Sequence, residues 1–335
     1  MADLVNRKMV LVKRPQGMPD ASCWKLVEAE EVPDPSPFHV LVEVLYLSID
    51  PAMRAWLDED CHVPPVAIGE TMRALGVGRV LSSEDPALKP GDHVSGPLGV
   101  QQFTQLPGIL LRKIDEELAP ASAHVGVLGL TGGITAYFAI LDKGAVQPGE
   151  TVVVSAAAGC VGSIAGQIAK IKGAHVIGIA GGAHKVRHVI DELGFDDCID
   201  YKSEDVHATL GDKAPDGVDV YFDNVGGDML DAVLDHIREK ARVVICGAIS
   251  QYNNTDGVQG PSLYLRLAER DATMLGFAVT YFHERFEEAQ QQLAEWLKEG
   301  KLKAPEHVEH GVENLHATMS KLFDGSHIGK LLLHP

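Results

Sequence analysis

Residues 151–162, TVVVSAAAGCVG, constrain this chain more than any other stretch. The run Thr151-Val152-Val153-Val154 is the pattern of a strand buried on both faces of a parallel sheet. Small residues follow from Ser155 to Gly159, then Cys160, Val161 and Gly162, so the chain turns tightly into a helix. That helix continues through SIAGQIAKIKG until Gly173 ends it, and residues 175–180 (HVIGIA) form a second strand. The turn carries A-x-G-x-x-G on Ala157, Gly159 and Gly162. Phosphate oxygens reach the N-terminal amides of such a helix only where no side chain intervenes. Gly159 would provide that gap, and Gly162 would let helix pack on strand. With alanine in the first position, the spacing also fits an ordinary glycine turn of an α/β domain.

A chain of 335 residues is long enough for two domains with separate cores. Its 29 basic and 47 acidic side chains give a formal charge of −18. A field of that sign argues against nucleic acid or an anionic membrane as partner, and an anionic ligand then needs a local cluster of donors. No segment reaches the roughly 18 consecutive apolar residues of a spanning helix, and MADLVNRKMVLVKRP lacks the apolar core of a signal peptide. The five cysteines, Cys23, Cys61, Cys160, Cys198 and Cys246, are scattered and form no C-x-x-C pair. That usage fits a reducing cytoplasm and argues against a structural zinc site.

Residues 9–118 hold short β-type runs (MVLVK, HVLVEVLYLSID, GVGRVLS, DHVSGPLGVQQFTQLP), the pattern of a mostly β domain. A long connecting loop is expected from Ser48 to Glu70. An apolar helix is expected over residues 128–141. Strands are expected at 197–201, 218–222, 241–246 and 273–279, with helices at 185–193, 228–240 and 284–298. Alternating strands and helices predict an α/β fold with a doubly wound parallel sheet. The final run GKLLLHP is expected to rejoin the first domain. The expected boundaries are a substrate domain of residues 1–125 with 292–335 and a dinucleotide-binding domain of residues 126–291.

An NAD site usually places a carboxylate after the second strand, where the ribose hydroxyls lie. Here that position reads GIAGGAHK, with Lys185, His184 and Arg187 but no acid. The cluster could neutralise a 2′-phosphate, which points to NADP(H), although Lys185 also fits a solvated lysine in a helical first turn. Asn224 follows a strand at the carboxyl edge of the sheet. It could bond the nicotinamide ribose or simply form a turn before Gly226 and Gly227. Tyr252, after the next strand, is either a reactive hydroxyl or a wall residue.

The chain resembles the zinc-independent branch of the medium-chain dehydrogenase/reductase superfamily, in its group of NADPH-dependent alkenal/one double-bond reductases, which includes prostaglandin and curcumin reductases. The resemblance is carried by IDPAMR, IGETMRALGVGRV, LTGGITAY, VSAAAGCVGS, YFDNVGG and CGAISQYN. It implies a Rossmann domain and a GroES-like substrate domain, with a homodimer as the assembly, for which residues 273–279 offer a continuing strand. It implies phosphate contacts at Gly159, Cys160, Val161 and Gly162, and a 2′-phosphate site at Lys185 and Tyr201. The nicotinamide would be lined by Asn224, Cys246, Gly247, Ala248, Ile249, Ser250, Tyr252, Phe277, Ala278 and Val279.

Zinc-containing relatives have Gly-His-Glu at the catalytic metal and a four-cysteine lobe. This chain has Gly69-Glu70 without the His and lacks the lobe, so no metal is expected. His62 stands where the family commonly has Tyr, and His327, a candidate cofactor contact, where it commonly has Asn. The implied reaction is hydride transfer to the β-carbon of an enone or enal, a small-molecule substrate. Tyr252 would face the carbonyl oxygen, and the α-carbon proton would come from Tyr252, His62 or solvent. The alternatives are a quinone reductase of the same superfamily and an NADPH-binding sensor without turnover.

Overall fold

A computed structural model describes residues 4–61 and 63–335. The chain forms two compact units, Met1–Gly126 with Glu306–Pro335, and Val127–Pro305. In the first unit, β1 (Val5–Leu11) and β2 (Trp24–Glu31) make an antiparallel pair. A larger, mainly antiparallel sheet contains β3 (His39–Ser48), β4 (Gly76–Ser83), β5 (His93–Gly96), β6 (Phe103–Pro107) and β7 (Arg112–Lys113). Val40, Val42 and Val44 of β3 join Met53, Leu57, Met72 and Leu98 in its core. Strand β2 adds to the sequence expectation, because the charges of WKLVEAEE hide its apolar alternation. The expected loop after β3 contains a short helix, α1 (Ala52–Ala55), and is pinned from within. Asp50 accepts from Lys330 Nζ at 2.6 Å with both side chains buried. Arg54, also buried, donates to Gly17 O at 3.0 Å and to Asp58 at 2.7 Å.

The second unit opens with a helical segment whose regular centre is α2 (Thr135–Phe138), flanked by wider π-type turns. Then follow β8 (Thr151–Ser155), α3 (Cys160–Ile171), β9 (His175–Ala180), α4 (Ala183–Arg187) and β10 (Asp197–Asp200). The second half runs α5 (Val206–Lys213), β11 (Val218–Asp223), α6 (Gly227–Leu234), β12 (Ile237–Ile245), α7 (Leu265–Glu269), β13 (Thr273–Gly276) and α8 (Phe286–Lys298). The six strands are parallel in the order β10-β9-β8-β11-β12-β13. This is the doubly wound arrangement, with the reversal of strand order between β8 and β11.

Three expected boundaries move. The helix expected through residue 240 ends at Leu234, because β12 starts at Ile237, which is buried at 3% exposure. The polar Arg238, Glu239 and Lys240 conceal this start, and Lys240 is left-handed (φ 62°) beside a register shift. Strand β13 stops at Gly276, so Phe277, Ala278 and Val279 leave the sheet for a 3-10 turn. Helix α8 stays with the second unit, since Gln290 donates to Leu128 O at 2.9 Å and Glu288 accepts from Tyr137 at 3.0 Å. The chain therefore re-enters the first unit at residue 306, not 292. There β14 (Glu306–His310), α9 (Leu315–Asp324) and β15 (Lys330–His334) follow. β15 pairs antiparallel with β3 and parallel with β14, as expected for the returning tail.

Candidate active site

The turn between β8 and α3 has the geometry of a phosphate cradle. Gly159 is the N-cap of α3, in extended conformation (φ −83°, ψ 173°), and α3 has no side-chain cap. A Cβ on Gly162 would lie 2.4 Å from Ala156 O, so glycine there permits the helix to sit against the turn. A Cβ on Gly159 would come 3.3 Å from the same oxygen. The left-handed residue is Ala156 (φ 51°), one position before the pattern's first member. Ala157 N donates to Ile179 O at 3.0 Å and ties the turn to β9. The first-turn amides of Cys160, Val161 and Gly162, at the positive end of a 12-residue helix, fit a diphosphate.

At the carboxyl end of β11, Asp223 is 1% exposed and organises the edge. Its Oδ1 accepts from Ser155 Oγ at 3.2 Å, Tyr221 Oη at 2.8 Å, and the amides of Val225 and Gly226 at 3.0 Å each. Burial raises the Tyr221 phenol well above its ordinary range and keeps it a donor. Asn224 donates through Nδ2 to Ser155 O at 2.8 Å, and its amide donates to Ser155 Oγ at 2.8 Å. One part of the Asn224 side chain thus ties the end of β11 to the end of β8. Ser155, Tyr221 and Asp223 were missed as site residues in the sequence. The only signal was their place at neighbouring strand ends.

The segment after β12 docks on the same edge. Cys246 N and Gly247 N donate to Asp223 O at 2.8 and 3.1 Å, and Ile249 N to Asn224 O at 3.1 Å. Ser250 reaches Val225 O through both its amide, at 3.2 Å, and its hydroxyl, at 2.6 Å. Tyr252 Oη accepts from Ala248 N at 3.1 Å, which leaves the phenolic hydrogen for another acceptor. Burial pushes the Tyr252 phenol above its ordinary value. Burial, with the Asp223 carboxylate, drives the Cys246 thiol up to about 12, so it remains a protonated wall residue. Phe277 lies edge-on to Phe282 at 6.4 Å, and Phe282 stacks on Phe138 at 4.5 Å.

After β9, α4 presents His184, Lys185 and Arg187 in one turn. Tyr201, 47% exposed, lies against Gly181, where a Cβ would meet the ring at 2.8 Å. The turn's own sequence, GIAGGAHK, holds no acid. The structure brings one from the next strand, as Asp200 accepts from Gly182 N at 2.7 Å.

Two candidates lie in the first unit. His62 falls outside the described residues. His327 is 9% exposed, and its Nδ1 meets Lys321 O at 2.8 Å near the end of α9. Glu70 accepts from Ala67 N at 3.1 Å. Among the described residues, no group of three or more His, Cys, Asp or Glu is placed to hold a metal ion.

Comparison with known proteins bears on the whole chain. The family model for the N-terminal domain of oxidoreductase matches residues 7–114, and that for zinc-binding dehydrogenase matches residues 160–295. A Bacillus subtilis (strain 168) protein named as an NADP-dependent oxidoreductase is 46% identical over 332 residues, covering 98% of this chain and 97% of the relative. The NADPH-dependent curcumin reductase of Escherichia coli (strain K12) is 39% identical over 334 residues, 98% of this chain and 96% of the relative. The crystal structure of CurA from Vibrio vulnificus in complex with NADPH superimposes with a TM-score of 0.91 at 36% identity, covering 98% of each chain. With the doubly wound sheet and its glycine turn, these similarities place the chain in the medium-chain dehydrogenase/reductase family, within the alkenal and curcumin reductase group.

Proposed function

We propose that the protein is an NADPH-dependent reductase of the carbon–carbon double bond of α,β-unsaturated ketones and aldehydes. The observation that carries this reading is the carboxyl edge of the second unit. There an uncapped helix with a glycine cradle, a basic turn and a buried phenol with a hydrogen to donate occur on one sheet. The α3 N-terminus and Gly159, Cys160, Val161 and Gly162 would hold the diphosphate. Lys185 and Tyr201 would hold the 2′-phosphate, and Asn224, the segment from Cys246 to Tyr252 and Phe277, Ala278 and Val279 would line the nicotinamide. His327 stays a candidate cofactor contact. When bound, NADPH supplies the hydride that the β-carbon receives.

The residues of the chain do the rest. Negative charge develops on the substrate carbonyl oxygen as an enolate, and a donor already in place lowers that barrier. Tyr252 is assigned this role: Ala248 N–H holds its oxygen, and burial keeps it protonated. The α-carbon proton is assigned to Tyr252, His62 or solvent. A conjugated carbonyl is polarised enough to accept hydride without a Lewis acid. The scattered cysteines, none in a C-x-x-C pair, support a cytoplasmic setting. Strand β13, one of the two edge strands of the six-stranded sheet, supports a homodimer formed by sheet continuation.

Oxidation of NADPH by the purified protein tests the reading. Turnover is expected with an aliphatic enone or a curcumin-like diarylheptanoid and not with a naphthoquinone. The reverse pattern would make it a quinone reductase, and tight NADPH binding with no turnover on either acceptor would make it a sensor.

A further inference from the structure

Lys185 and Tyr201 stand on different turns, one after β9 and one after β10, and a single carboxylate joins those turns. Asp200 Oδ1 accepts from Gly182 N at 2.7 Å and from Lys202 N at 3.1 Å. The bond from Gly182 is the main cause that holds this carboxyl below its ordinary range. Gly182 is left-handed (φ 91°), and its carbonyl accepts from Lys185 N at 2.9 Å and Val186 N at 3.2 Å, which starts α4. On the other side of the clamp, Tyr201 N donates to Ala180 O at 3.1 Å. The Tyr201 ring lies on Gly181, where a Cβ would meet Cε1 at 2.8 Å and the hydroxyl at 2.9 Å. Asp200 thereby sets Gly182, Gly182 sets the backbone of Lys185, and the bare Gly181 seats the Tyr201 ring.

We infer that Asp200 is a positioning residue for NADP over NAD selectivity, a proposal that rests on assigning Lys185 and Tyr201 to the 2′-phosphate. A carboxylate that selects NAD accepts from the ribose hydroxyls. Here one carboxylate oxygen takes two backbone amides instead, and the turns it joins carry the two phosphate-reading side chains. Its charge has the same sign as the phosphate it helps to seat. The two effects oppose each other and are separable: asparagine keeps an acceptor and loses the charge, whereas alanine loses both.

Calorimetric titration of NADP+ and NAD+ into the purified variants tests this without reference to turnover. Asp200→Ala is expected to weaken NADP+ about tenfold, the size of one lost hydrogen bond, and NAD+ by no more than about twofold. Asp200→Asn is expected to bind NADP+ as tightly as the parent protein or more tightly. Gly181→Ala, whose added methyl meets the exposed Tyr201 ring, is expected to reproduce the selective loss. Equal weakening of both nucleotides by Asp200→Ala, or an Asp200→Asn protein as weak as Asp200→Ala, overturns the inference. Should Asp200→Ala not fold, Asp200→Asn binding NADP+ more weakly than the parent, or Gly181→Ala with unchanged selectivity, overturns it. Lys185→Ala separates the two levels. An unchanged NADP+ to NAD+ ratio in that variant removes the phosphate assignment itself. A collapsed ratio there, with intact ratios in Asp200→Ala and Gly181→Ala, removes only the role of Asp200.

Discussion

At Tyr252 two effects oppose each other: burial raises the phenol, the Ala248 amide lowers it, and burial is the larger. A phenol donates only while protonated, below its pKa. The raised value keeps the donor in place through neutral pH and loses it only on the alkaline side of about 10, the ordinary tyrosine value. Turnover should therefore be flat from pH 6 to 9 as far as this group is concerned. Tyr252→Phe should lower kcat about a hundredfold with a smaller change in KM, as for loss of a donor to a developing oxyanion. Steady-state kinetics on an enone check this, and an unchanged kcat would take Tyr252 out of the mechanism. The sequence marked Tyr252 as a hydroxyl at a strand end. It could not show that Ala248 N–H turns that hydroxyl into a donor with one free hydrogen, because that depends on how residues 246–252 fold back.

The β8-turn-α3 element was legible almost to the residue. The centre of its strand, Val152, Val153 and Val154, is fully buried, as in a strand covered on both faces, and its turn admits only small residues. Gly162→Ala should cost about 1–3 kcal/mol, the range for forcing a methyl into a packed contact, and should weaken NADP+ binding with it. Denaturant unfolding and nucleotide titration measure the two effects, and a variant with parental stability would show that α3 can shift away from Ala156. Strands with one polar face were harder to read. β2 and the first residues of β12 carry charges where they meet solvent, so their alternation is masked. Helix α8 was recognised but assigned across the domain boundary, because an amphipathic pattern tells which face is buried and not what covers it.

Over the whole molecule, buried charge decides where the returning tail attaches. Lys330, 3% exposed, meets Asp50, 5% exposed, at 2.6 Å, and links β15 to the segment after β3. Lys330→Met should destabilise the protein by about 3–5 kcal/mol, because it removes the cation that pairs with a buried carboxylate. A loss well below that range in chemical denaturation would show that water reaches Asp50. If β13 is the dimer edge, sedimentation should give twice the chain mass, and Leu275→Pro should give monomers; a monomeric parent protein would remove the proposal.

The succession of strands and helices in the second unit, the glycine turn after β8 and the basic residues around Lys185 are legible in the sequence alone, since each rests on spacing within a few tens of residues, and the family is legible in matched stretches along nearly the whole chain. The tertiary structure decided which carboxylate meets which amide: Asp223 with Val225 and Gly226, Asp200 with Gly182, Asp50 with Lys330. Such bonds form where strand ends converge, and their partners are set by sheet order and register. No local pattern of residues encodes that choice.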